Sequence, residues 1–128
     1  QTLYSVSNYQ KALFADLSRA NKKIFLQTPK LNKQRLYEFL AQVKGVSLEL
    51  KLPLKEKSKL EKAGLSGDIQ IDTADELVST NLLIIDSSIV WYGNLDILGN
   101  YQKEEGVLLR LESWELAQEF MELIKGRP

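Results

Sequence analysis

The chain contains no cysteine and no histidine. The first absence removes disulfides, thiolate zinc sites and cysteine nucleophiles. The second removes imidazole bases, Ser-His triads and phosphohistidine intermediates for residues 1–128 acting alone. Chemistry is left to carboxylates, lysine, serine, threonine and tyrosine. Long apolar runs are also missing: Leu82–Ile85 and Ile89–Tyr92 fall far short of the ~20 residues that span a bilayer. The first residues, Gln1-Thr2-Leu3-Tyr4, lack the basic region and apolar core of a signal peptide, so a cytoplasmic fragment of a longer protein is expected.

What is present is the composition of one ordinary globular domain, 128 residues with 44% hydrophobic and 27% charged side chains. Its zero net charge divides unevenly. Residues 1–62 carry 13 Lys/Arg against 5 Asp/Glu, a net +8, and residues 63–128 carry 4 against 12, a net −8. A contiguous basic face would attract phosphates despite the neutral total. The plainer alternative is that the two halves neutralise each other across one surface.

Periodicity organises the chain. Asn8 to Ala20 reads as a helix with Ser5 or Ser7 as cap, and Ile24–Thr28 as a buried strand closed by Pro29. Lys33 to Lys44 has Leu36, Phe39, Leu40 and Val43 at helical spacing, with Gly45 as the stop. Val46–Leu52 alternates as a strand with one wet face, and lysine-rich Leu54–Ala63 is a short exposed helix or loop. Ile69–Ile71 is a short strand. Leu82–Asp86 and Ile89–Gly93 form a hairpin across Ser87-Ser88, and Val107–Leu111 is a further strand. Ser113 caps a last helix carrying Trp114, Leu116, Ala117, Phe120, Met121 and Ile124. No linker divides the chain. These elements predict a single α/β domain over 1–128, with a mixed, mostly parallel sheet flanked by helices.

From Ser79 to Gly99 the sequence reads STNLLIIDSSIVWYGNLDILG. This stretch resembles the signature of the phospholipase D-like superfamily, H-x-K-x4-D and then, beyond six residues, G-S-x-N. In that frame the histidine position holds Ser79 and the lysine position Asn81. Asp86 and Gly93 keep the family residue, the serine position holds Asn94 and the asparagine position Asp96. The upstream order fits too, so the resemblance covers roughly residues 8–124. The wording around Gly93, with a following K-E-E, is most similar to modules of bacterial helicases and restriction-type nucleases.

The resemblance implies a phosphodiesterase chemistry that this chain does not carry. The family's nucleophile and acid are histidines, and its lysine and asparagine hold phosphoryl oxygens. A second copy in a homodimer would lack the same groups. Asp96 adds a carboxylate where a neutral amide should meet an anion. Two substitutes are weighed: Ser79, Thr80 or Tyr92 as nucleophile with Asp86, Asp96, Glu104 or Glu105 as base, or a divalent cation among Asp72, Asp75, Glu76, Asp86 and Asp96. Neither has diagnostic spacing, and the plainer reading is that these acids sit on solvated turns, with Asp86 making a turn-capping hydrogen bond.

The expectation is therefore a catalytically degenerate domain serving nucleic-acid binding, DNA ahead of RNA, or scaffolding, without metal or small-molecule cofactor and without membrane. A protein-interaction or homodimerising module and a residual nuclease are the alternatives. Phosphate contacts are expected from Lys30, Lys33, Arg35, Lys51, Lys55, Lys57 and Lys59, with Lys22, Lys23 and Lys62 nearby. Lysines that merely solvate a helix face are the simpler reading of 55–62. Trp91 is expected in the core, Tyr37 at its rim and Trp114 partly exposed, although Trp91, Tyr92 and Trp114 also have the faces to stack on bases.

Overall fold

A computed structural model of the chain describes residues 1–43, 45–62, 69–74, 80–99 and 106–125. In chain order the elements are β1 (Thr2–Ser5), α1 (Tyr9–Ser18), β2 (Lys23–Gln27), α2 (Lys33–Gln42) and β3 (Ser47–Pro53), then a 3-10 turn at Leu54–Glu56 leading into α3 (Lys57–Lys62). β4 (Ile69–Ala74), β5 (Asn81–Ile85), β6 (Ile89–Gly93), β7 (Val107–Glu112) and α4 (Trp114–Lys125) follow. The strands form one seven-stranded sheet in the order β1-β7-β6-β5-β2-β3-β4.

The sheet is mixed but mostly antiparallel, which corrects the expectation of a mostly parallel one. Only β2–β3 and β3–β4 run parallel, whereas β2–β5, β5–β6, β6–β7 and β7–β1 run antiparallel. The reason is connectivity. A parallel pair needs a crossover, and α2 and α3 supply the two that join neighbours. α1 joins β1 to β2, which lie at separate places in the sheet, and β5 to β6 is a tight hairpin.

Alternation along each strand divides the core. Ile24, Leu26, Leu48, Leu50, Leu52, Leu83, Ile85, Trp91 and Leu108 face α1, α2 and α3, meeting Leu13, Leu17, Leu36, Phe39 and Leu60. Phe25, Leu82, Ile84 and Val90 point the other way, onto Ala117 of α4 and its half-buried Phe120, Met121 and Ile124. The wet face expected for β3 is only partly wet. Glu49 is buried there, its carboxylate 3.5 Å from Lys23 Nζ.

Local signals explain the ends. Asn32 Oδ1 accepts from Arg35 N to start α2, and Ser113 Oγ accepts from Leu116 N to start α4. Asn8, rather than Ser5 or Ser7, occupies the cap position of α1, and its Oδ1 turns back to accept from Ser5 N. Helix α2 stops at Gln42, short of the expected Lys44, while Gly45 takes the left-handed backbone (φ 70°) that turns the chain into β3. Among the described residues no helix is long and apolar enough to cross a membrane.

Candidate functional site

The antiparallel register of β2 and β5 pairs Gln27 with Leu82, so Thr28 and Asn81 meet one step beyond, at the end of the sheet where β2 and β3 finish. Their side chains share the face that carries Leu26 and Leu83. Thr28 Oγ1 donates to Asn81 Oδ1 at 2.8 Å, and Ile97 N donates to the same oxygen at 3.0 Å. Asn81 Nδ2 donates to Asp96 Oδ1 at 3.0 Å. All three side chains are buried.

The loop from Asn94 to Gly99 folds over this knot because Gly93, just before it, and Gly99, at its end, leave no side chain in the way. A Cβ on Gly93 would lie 2.1 Å from Val107 O, and one on Gly99 would lie 2.6 Å from Asp96 Cβ. Asn94 turns away from the knot, its Oδ1 accepting from Val107 N at 2.9 Å, and is exposed.

Asp86 belongs elsewhere. It sits beyond the opposite end of β5, in a turn whose Asp86 and Ser87 both have positive φ (52° and 57°), as the primed hairpin turns require. The turn it caps is the one between α1 and β2. Its carboxylate accepts from the backbone N–H groups of Asn21, Lys22 and Lys23 at 3.0, 2.8 and 3.0 Å, closing the α1–β2 corner. Partial burial pushes its pKa up, but those three donors and the Lys22 charge outweigh this and hold the carboxyl below its ordinary value. Asp86 therefore cannot share a base or metal role with Asp96. Asp72 is exposed on edge strand β4, and among the described residues no group of three acids is placed to hold a metal. Ser79, Asp75, Glu76, Glu104 and Glu105 lie outside the described residues.

The expected phosphate contacts separate into three kinds. Lys30, Lys33, Lys55 and Lys57 are exposed, and Lys51 at the end of β3 is half-buried. Lys59 is engaged: its Nζ donates to Leu31 O and lies 3.0 Å from Glu56, a buried carboxylate that also accepts from Leu31 N. Arg35 is a correction. It is buried, its guanidinium donating to Tyr9 Oη and to Glu38, because the α2 cap turns this side of the helix onto α1. Trp91 is fully buried as expected, whereas Tyr37 is more exposed than a core rim position (42%) and Trp114 is exposed.

No family model matches the sequence, and no curated protein does. Solved structures do match. NucT from Helicobacter pylori superposes with a TM-score of 0.81 at 12% identity, covering 97% of this chain and 92% of that one. Nuc from Salmonella typhimurium, a phospholipase D family member, gives a TM-score of 0.68 at 12% identity over 97% and 90% of the two chains. The chain adopts the phospholipase D-like fold. TrmBL2, an archaeal chromatin protein described with a novel mode of DNA binding, shares it more loosely, with a TM-score of 0.62 at 16% identity over 97% of this chain and 50% of that one.

Asn81 and Asp96, expected from the sequence resemblance at the lysine and asparagine positions, are bonded to each other. Thr28, which completes their knot, was not singled out by sequence beyond ending a strand. Asp16 was not noticed at all. It is buried beneath α1, where it accepts from Trp91 Nε1 at 2.8 Å and from Arg110 Nε and Nη2 at 2.6 and 2.9 Å. This fork raises the Arg110 pKa despite its partial burial. A usable signal was Trp91: an indole inside a strand needs an acceptor for its N–H.

Proposed function

We propose that this chain is a catalytically degenerate phospholipase D-like domain that binds nucleic acid, DNA ahead of RNA, as a module of a larger helicase- or nuclease-type protein. The observation that carries the reading is the contrast within one end of the sheet. At the lysine position Asn81 spends its amide on Asp96, Thr28 and Ile97, leaving no cation to meet a phosphoryl oxygen. Around it, Lys30, Lys33, Lys55 and Lys57 remain exposed. Such a surface attracts a phosphate backbone by charge and does no chemistry on it. The fold likeness to TrmBL2, a protein described as binding DNA, supports a binding role, and the likeness to Nuc fits a phosphodiester ancestry.

The test is a salt titration of duplex DNA binding by residues 1–128. Each phosphate neutralised should add about −0.9 to the slope of log affinity against log salt. The four-fold variant Lys30→Ala, Lys33→Ala, Lys55→Ala, Lys57→Ala should flatten that slope while leaving the unfolding midpoint unchanged. DNA affinity that is undetectable even at low ionic strength sinks the binding role. Hydrolysis of a generic phosphodiester, with or without Mg²⁺ or Mn²⁺, that disappears on Asp96→Ala sinks the degenerate one.

A further inference from the structure

The two faces of the sheet are covered unequally. Helices α1, α2 and α3 pack on one face, and among the described residues α4 alone packs on the other, over Phe25, Ile84 and Val90. Beyond Leu111 of β7, which still packs against this cluster, the apolar surface continues through Leu109 to Leu3 of β1. Leu3 pairs with Leu109, and Leu109 with Tyr92, so these three side chains form one row across three strands on the α4 face. Leu3 is 62% exposed and Tyr92 41%, and Tyr92 stacks on Phe120 of α4 at 5.5 Å.

The flank of α4 that borders this row is apolar as well. Leu116, Phe120 and Leu123 follow at four and three residues, so they form one stripe along the helix, with Leu123 68% exposed. Glu115 and Glu119, four residues apart, form the adjoining stripe on the solvent side and are both exposed. The surface is thus a sheet floor, an apolar helical wall and an acidic crest. A row of exposed apolar side chains of this kind marks an interaction surface more often than it solvates.

We propose that this face docks an amphipathic helix of a partner protein, its apolar side on Leu3, Tyr92, Leu116 and Leu123 and its Lys or Arg residues against Glu115 and Glu119. Charge selects this occupant over a second copy docked through the same face, since that copy would bring its own acidic crest to the contact. Helix-in-groove recognition of this type reads apolar anchors spaced three and four residues apart. The surface lies on the α4 face of the sheet and uses none of Lys30, Lys33, Lys55 and Lys57, so it is separate from the nucleic-acid reading and does not depend on it.

The probe is a pair of synthetic amphipathic helices of about 18 residues, long enough to hold helical structure on a surface. Both have the same leucine stripe, one with lysine and the other with glutamate at the polar positions. By calorimetry the Leu/Lys helix should bind with a dissociation constant on the order of micromolar and the Leu/Glu helix should not bind. Glu115→Lys with Glu119→Lys should weaken binding by about tenfold or more, and so should Leu3→Ser with Leu123→Ser. These positions are exposed, so the unfolding midpoint of each variant is expected to match the parent and certifies the fold. Failure of the Leu/Lys helix to bind, equal binding of both helices, or binding that survives either pair of substitutions overturns the proposal. So does a dimer in sedimentation that Leu123→Ser dissolves, which would make a second copy the occupant.

Discussion

Two buried carboxylates of this domain, Asp16 and Asp96, lie under the same face of the sheet and are held in opposite ways. Asp16 receives a two-pronged bond from Arg110 and a third from the Trp91 indole, so its charge is cancelled where it sits. Asp96 is bonded by the neutral Asn81 amide, and among the described residues it forms no ion pair. Burial alone therefore does not distinguish a structural acid from one at a functional position; the partner does. The Asp16 cluster is closed on itself and ties α1 to β6 and β7. The Asp96 cluster joins β2, β5 and the 94–99 loop through neutral partners.

The sharpest way to break this comparison is to remove one charge at a time. Asp16→Asn leaves the Arg110 guanidinium with only the exposed Glu112, 2.9 Å away, as counter-charge, and should cost about 3 kcal/mol in urea unfolding. A loss no larger than that of an ordinary surface substitution would remove the distinction. Asp86 tests a carboxylate held by backbone alone. Asp86→Ala strands three N–H groups at the α1–β2 corner and should cost about 1–2 kcal/mol near neutral pH. Because its pKa is lowered on folding, its contribution is complete above the ordinary value of 3.8 and disappears as the pH falls through the lower folded value. The stability difference between parent and variant should accordingly shrink in acid and stay flat from pH 5 upward. A difference that grew on acidification would contradict the network of donors. Asp96→Asn should have the smallest effect on folding, within about 1 kcal/mol, since an amide oxygen still accepts from Asn81. The same change should tighten DNA binding roughly a few-fold at low salt by removing a negative charge beneath the lysine rim. Unfolding as severe as that of Asp16→Asn would place both acids in one structural class.

Much of this was legible in the residues, and the misses have identifiable causes. The Asp86–Ser87 hairpin, the α2 periodicity and the Ser113 cap are local signals, and the structure repeats them within one or two residues. Strand β1 escaped because only Leu3 and Tyr4 of its four residues are apolar, and its partner β7 lies at the far end of the chain. The proportion of parallel pairs was overestimated because the α2 and α3 crossovers, which do join parallel neighbours, were extended to the rest of the sheet, where β1, β5, β6 and β7 pair antiparallel. Motif spacing placed Asp86 and Asp96 in one frame, but spacing counts along the chain. Strand β5 carries them to opposite ends of the sheet. Arg35 looked like a phosphate contact because charge was counted by segment, whereas the helix turns that residue inward.

Asp86 also acts as a gauge. By accepting from Asn21, Lys22 and Lys23 it fixes the residue at which β2 begins, and five extended residues later, about 17 Å away, the chain reaches Thr28 just past the strand's end. A slip of one residue would turn Phe25 into the wrong layer and swing Thr28 away from Asn81. The corner at one end of the sheet thus sets the alignment at the other, and a hairpin tip with no chemistry of its own calibrates the position of every atom in the knot.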